Sequence, residues 1–332
     1  MVKDRPQAAV SLVLVVVLLL VSGCLGDGEE DGHEDVSEPR QKMRDLVIEI
    51  SEFSKSIDPE FIIVTQNGNE LVMSDTDPFT VDLNYTEHLD GVAQEDLYYG
   101  YDSDDEPTPA GETAYLERFL DQALSEDLTV LVTDYCSTGS KMDSSYRTNS
   151  ERGYVSFAAP RRDLDVVPDH PSQPFSVNTD NISSLEEVQN FLYLIDPGSF
   201  TTRSAYLEAL RNTNYDLLII DAFHDGTILT KEEVDSLKTK NNGGFRLVIA
   251  YMSIGEAEDY RYYWDPAWKS SPPSWLEKEN PDWEGNYKVK YWDDEWKDLL
   301  IYDDDSYLNK LISSGFDGVY LDIIDAFEYF EQ

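Results

Sequence analysis

The segment Gly315-Phe316-Asp317-Gly318-Val319-Tyr320-Leu321-Asp322-Ile323-Ile324-Asp325 decides the fold. A glycine turn leads into a short apolar strand that ends in a carboxylate, with a second one three positions on. Carboxylates at the C-terminal end of a buried strand are where a parallel α/β barrel keeps its chemistry. Strands that close a barrel around this one are expected from earlier in the chain, and they can be sought there.

Working backward, short apolar runs bounded by turn residues recur. Phe61-Ile62-Ile63-Val64 leads into Gln66-Asn67-Gly68, Gly91-Val92-Ala93 into Gln94-Glu95-Asp96, and Thr129-Val130-Leu131-Val132 into Thr133-Asp134-Tyr135. Phe191-Leu192-Tyr193-Leu194-Ile195 ends in Asp196, Leu217-Leu218-Ile219-Ile220 in Asp221, and Leu247-Val248-Ile249-Ala250 in Tyr251. Tyr287 to Trp292 is a weaker candidate, and Gly318 to Leu321 completes eight. Continuous apolar runs suit strands buried on both faces. Helical spacing lies between several of them: Tyr115, Leu116, Phe119, Leu120 and Ala123; Tyr206, Leu207 and Leu210; Val234 and Leu237; Tyr307, Leu308, Leu311 and Ile312. An amphipathic helix through Met43, Leu46, Val47, Ile50, Phe53 and Ile57 precedes them all and is closed by Pro59. The pattern predicts one α/β domain over residues 41–332, a (β/α)8 TIM-type barrel. A doubly wound sheet is the alternative, but no Gly-rich phosphate loop follows any strand.

The front of the chain reads as an address. Lys3 and Arg5 precede an apolar run from Ala8 to Val21, and Val21-Ser22-Gly23-Cys24 places small residues before a cysteine. Residues 1–23 are read as a signal peptide and Cys24 as a lipidated first residue of the mature chain. An ordinary cleaved signal or an uncleaved anchor are the alternatives. Residues 24–40, rich in Gly, Asp and Glu, are expected to be a flexible tether. The expected location is therefore the extracellular face of the cell membrane. The other cysteine, Cys136, leaves no disulfide framework.

With 25 basic against 67 acidic residues the net charge is −42. A polyanion would be repelled, so nucleic acid is not an expected partner. An acidic surface suited to a salty medium and steering of a cationic substrate both fit. The four histidines, His33, His88, His170 and His224, show no metal-ligand spacing, and no nucleophile elbow or Cys-His pair appears. No metal or cofactor is expected. Asp102-Ser103-Asp104-Asp105-Glu106 lacks the spacing of a calcium loop and reads as a solvated acidic turn.

Ala250-Tyr251-Met252-Ser253-Ile254-Gly255-Glu256-Ala257-Glu258 with Tyr260-Arg261, the segment Gly315 to Asp325, Gln94-Glu95-Asp96-Leu97-Tyr98-Tyr99, and Tyr287 to Trp292 together resemble glycoside hydrolase family 114. That family holds secreted barrels related to endo-α-1,4-polygalactosaminidases, some of them labelled cysteinyl-tRNA-synthetase-related. The nucleotide signatures of a synthetase are absent here. The resemblance implies a polysaccharide substrate containing amino sugars. It also implies that the halves are swapped: residues 191–332 resemble the family's first half, residues 41–160 its second, and 161–190 join them. The chain thus looks circularly permuted, with an excerpt of a tandem array as the rival account.

Glycosidic cleavage needs two carboxyl groups flanking the bond, one protonating the leaving oxygen and the other attacking or activating water. By resemblance, Asp322 is the nucleophile or base and Glu95 the general acid, with Asp96, Tyr98 and Tyr99 as neighbours. Asp221, Tyr251, Glu256, Glu258, Gln66, Asn67, Asp134, Tyr135, Asp325 and Trp292 are candidate substrate-binding residues. Each strand-end carboxylate alone is equally a helix cap. The aromatic crowd from Tyr260 to Trp296 reads as a sugar-stacking wall or the core of a long loop. A catalytically silent carbohydrate-binding or envelope barrel is the alternative function.

Overall fold

The computed structural model describes residues 37–331. The expected signal peptide, Cys24 and most of the tether lie outside them. Eight parallel strands form the central sheet: β1 (Ile62–Gln66), β2 (Gly91–Glu95), β3 (Thr129–Tyr135), β4 (Val155–Ala159), β5 (Phe191–Leu194), β6 (Leu217–Ile220), β7 (Leu247–Ser253) and β8 (Gly318–Asp322). Each pairs with its chain neighbour, and β8 pairs with β1 with Thr65 opposite Leu321. The result is the expected TIM-type barrel, nearly closed. Its one seam lies between β4 and β5, which no ladder joins. There the Phe157 and Phe191 rings pack at 5.8 Å instead.

Residues 161–190 cover this seam. The carbonyl of Leu164 accepts the amides of Ile195 and Asp196 at one end of it. At the other, fully buried Lys240 donates to Asp216 at 2.8 Å and to Asn178 at 2.9 Å. A buried charge pair of this kind is tolerable only because Asn178, Gln189 and Asn190 satisfy the second Asp216 oxygen.

The outer layer follows the apolar spacing of the sequence. Helix α1 (Ser37–Ile57) buries Met43, Leu46, Val47 and Ile50. Helices α2 (Ala110–Ser125), α3 (Gly139–Arg152), α4 (Arg203–Arg211), α5 (Lys231–Leu237) and α6 (Tyr307–Ser313) follow β2, β3, β5, β6 and the long loop after β7. Among the described residues no helix is long and apolar enough to cross a membrane.

Two expectations need correction. The eighth strand is β4, not Tyr287 to Trp292. Asn286–Val289 instead joins Glu256–Glu258 and Leu276–Glu279 in a small antiparallel sheet. Its polar residues suit an excursion above the barrel, whereas Val155-Ser156-Phe157-Ala158-Ala159 is small enough to lie between β3 and the seam. The tether also ends earlier than Arg40, because α1 is already helical at Ser37. Glu38 and Pro39 in a first turn favour that start, and Arg40 pairs with Glu331 at 2.6 Å.

Candidate active site

Glu95 and Asp322 are the last residues of β2 and β8, the two strands that flank β1. Two strand spacings separate β2 from β8 by about 10 Å, and the register sets Glu95 two residues further along its strand, since Gln66 pairs with Ala93. The two carboxyl groups thus rise from the same end of the barrel, close enough for the charge of Glu95 to act on Asp322. Gln66 closes β1 between them.

The backbone bends sharply behind each of these three residues. Asn67, Asp96 and Ile323, which follow Gln66, Glu95 and Asp322, have φ of 59°, 60° and 60°. For a β-branched residue such as Ile323 this conformation costs about 1–3 kcal/mol and persists only where packing enforces it. Gly255 is the neighbour that leaves room for this turn. A Cβ there would lie 2.3 Å from the Ile323 carbonyl and 2.6 Å from the Ala326 methyl.

Tyrosines hold both carboxylates. The Tyr251 hydroxyl donates to Asp322 Oδ2 at 2.8 Å, and the Tyr135 hydroxyl donates to Glu95 Oε1. Asn67 brackets Glu95, with Nδ2 donating to Oε2 at 3.2 Å and Oδ1 accepting the Glu95 amide at 3.1 Å. One layer down, the Tyr320 hydroxyl donates to Gln66 Oε1, and the Tyr193 and Tyr320 rings pack at 5.0 Å. The Gln66 amide nitrogen is buried without a protein partner. Burial, and then the charge of Glu95, push the Asp322 carboxyl up to about 8, against the hydrogen bond from Tyr251. Burial and the neighbouring Glu95 charge thus both favour the protonated form of Asp322. Asp325 lies beside it, pushed up to about 7 by burial and by the charges of Glu328, Glu70, Glu256 and Glu95. Acidic side chains thus crowd this side of the mouth.

The other candidates divide. Tyr251, Tyr135, Asn67, Gln66 and Asp325 gather around the two carboxylates. Asp221 and Glu258 do not face an open mouth: Arg261 donates two bonds of 2.9 Å to Asp221 and one of 2.5 Å to Glu258, burying all three. Glu256 is 1% exposed and is bound by Asn280 at 2.8 Å and Asn286 at 3.4 Å. Asp134 is enclosed behind β3, accepting from the amides of Tyr98 and Tyr99, Ser145 and Asn149. Trp292 packs on Phe330 at 4.7 Å with the Lys42 ammonium 4.2 Å above its ring, beside α1. Tyr98 donates to Glu117 rather than to Glu95. The aromatic crowd is chiefly loop core, with Trp275 and Trp296 fully buried and only Tyr260 and Trp283 largely exposed.

Two site residues were not foreseen. Tyr193 stands mid-strand in an otherwise aliphatic run, which marks a hydroxyl turned into the barrel. Arg162, which binds Asp96 with both terminal nitrogens, lies in the joining segment and carries no sequence signal. Among the described residues no cluster of His, Cys, Asp and Glu is arranged to hold a metal ion.

A barrel whose mouth joins two tyrosine-held carboxylates has the form of a two-carboxylate hydrolase. The model of glycoside-hydrolase family GH114 matches residues 189–332, less than half of the chain, the part that holds β5 to β8 and Asp322. That match supports assignment to glycoside hydrolase family 114; Glu95 lies outside the matched segment. Similar proteins are uncharacterized. One from Methanocaldococcus jannaschii is 42% identical over 158 residues, 47% of this chain and 43% of that protein. One from Thermotoga maritima is 35% identical over 150 residues, 45% of each chain. One from Deinococcus radiodurans is 42% identical over 123 residues, 37% of each. The chain thus spans less than half the length of each of these relatives.

Proposed function

We propose that the protein is an outward-facing, lipid-anchored glycoside hydrolase that cleaves a polysaccharide containing free amino sugars, of the α-1,4-galactosamine type. The observation that carries this reading is the pair of carboxyl groups, Glu95 and Asp322, at the ends of the two strands that flank β1, each accepting a hydrogen bond from a tyrosine hydroxyl. An ammonium group arriving beside Asp322 and Asp325 would favour their carboxylate forms. In that form Asp322 serves as the nucleophile or base, with Glu95 as the acid. A cationic substrate would thereby charge the site for its own cleavage, which a neutral sugar would not do. The lipid at Cys24 would keep the barrel at the cell surface, where such polymers lie.

The test is release of reducing ends from a partly deacetylated α-1,4-galactosamine polymer. Asp322→Asn and Glu95→Gln should each abolish it while leaving the melting temperature within a few degrees or higher. Full activity in both variants would overturn the assignment. Polymer binding without turnover in the parent would mark a carbohydrate-binding barrel instead.

A further inference from the structure

Arg162 emerges from residues 161–190, the segment that spans the barrel seam, and reaches the strand end that carries Glu95. Its guanidinium makes four hydrogen bonds there. Nη1 donates to Asp96 Oδ2 at 3.1 Å and Nη2 to Asp96 Oδ1 at 2.8 Å. Nη2 also donates to the Gly100 carbonyl at 2.9 Å, and Nε to Asp104 at 2.8 Å. The cation then lies 3.9 Å from the centroid of the Tyr135 ring, whose hydroxyl donates to Glu95. Asp96, next in sequence to Glu95, is the residue with φ of 60°.

These contacts meet at Glu95 from two directions. Through Asp96, the planar fork fixes a left-handed turn that sets where the preceding side chain projects. Through Tyr135, the cation fixes the ring whose hydroxyl holds Glu95 Oε1. A guanidinium on the aromatic face also draws charge from the phenol and strengthens it as a donor. Gly100 leaves room for the arrangement, since a Cβ there would come within 3.0 Å of Arg162 Nη2. Asp104, read from sequence as part of a solvated turn, is the outer anchor.

We propose that Arg162 is a positioning residue for Glu95, so that the joining segment completes the active site rather than merely linking two halves. The proposal rests on the glycoside hydrolase reading for its kinetic consequence, but not for its geometric one. A lysine at this position keeps the charge and loses the fork, so it cannot bind Asp96 through two parallel bonds.

The experiment compares the parent, Arg162→Met, Arg162→Lys and Arg162→Gly on the partly deacetylated galactosamine polymer. Misplacement of a catalytic group by about 1 Å costs on the order of a hundredfold. Arg162→Met and Arg162→Lys should therefore lose about 10–100-fold in kcat, with KM held within about threefold. Free guanidinium chloride at non-denaturing concentration should restore part of the Arg162→Gly loss, and ammonium chloride should not. Unchanged kcat in all variants, or a loss confined to KM, would overturn the proposal. A crystal structure of Arg162→Met supplies the arm that needs no turnover. It should show the Tyr135 hydroxyl parted from Glu95 and Asp96 out of its left-handed turn. Retention of both would overturn the proposal even if the parent proves inactive on the polymer, a result that would by itself count only against the hydrolase reading.

Discussion

Tyr251, on β7, donates its hydroxyl to Asp322, on the neighbouring β8, at 2.8 Å. The bond opposes the burial that keeps Asp322 protonated, because it favours the carboxylate. Tyr251→Phe should lower kcat/KM about tenfold, the equivalent of about 1.4 kcal/mol. The acidic limb of the rate profile should move to higher pH. A limb that stays in place would show that Tyr251 does not tune Asp322.

Substrate charge should set the pH dependence. On a fully N-acetylated polymer the acidic limb should lie well above the usual carboxylate range, toward the value of about 8 to which burial and the Glu95 charge push Asp322. On the ammonium form it should lie at least about one pH unit lower, as an opposite charge at close range requires. Superimposable limbs on the two polymers would count against the proposed activation by substrate.

The same carboxyl costs stability. In the unfolded chain an aspartate titrates near about 3.9, whereas in the fold Asp322 titrates at about 8 and Asp325 at about 7. The folded state holds these protons more tightly, so stability is greatest below the unfolded value and is lost as pH rises through the folded ones. The melting temperature should fall between about pH 5 and about pH 8.5. Asp322→Asn should flatten that fall and melt above the parent at the alkaline end, as differential scanning calorimetry will read.

Gly255→Ala adds one methyl against the loop that follows Asp322, where 2.3 Å to a carbonyl oxygen leaves no room. The strained turn at Ile323 must shift. Overpacking of this sort costs about 1–3 kcal/mol, and the displaced carboxylate should lower kcat at least about tenfold. Wild-type activity in this variant would show that the turn is not set by Gly255.

The barrel draws its eight strands from both ends of the described chain, with β8 paired to β1. One core shared by all eight strands should melt in a single cooperative transition, with matching calorimetric and van't Hoff enthalpies. Two separable transitions would favour halves that fold independently.

Buried parallel strands announce themselves as apolar runs, and seven of the eight were legible in that way. Val155 to Ala159 was not, because Ser156 interrupts it and alanines fill it. Tyr287 to Trp292, the weaker candidate, reads from sequence as a barrel strand because aromatic residues suit that and an antiparallel excursion equally well. Strand ends gave a ring of polar candidates, but not which of them face the mouth. Asp134 and Tyr135 are adjacent, and strand alternation turns the first away from the barrel and the second into it. Asp221 and Glu258 looked free until folding brought Arg261 between them, a neutralisation that needs three-dimensional proximity to see. The contact from Arg162 to Asp96 spans 66 positions and leaves no local trace.

The missing ladder between β4 and β5 leaves two strand edges without backbone partners across the seam. Exposed edges invite pairing with another chain. Proteolytic nicking within residues 161–190 should therefore do more than cut a connection. It should unhoop the cask at its open stave, so that oligomers made by edge exchange form more readily than from the intact protein.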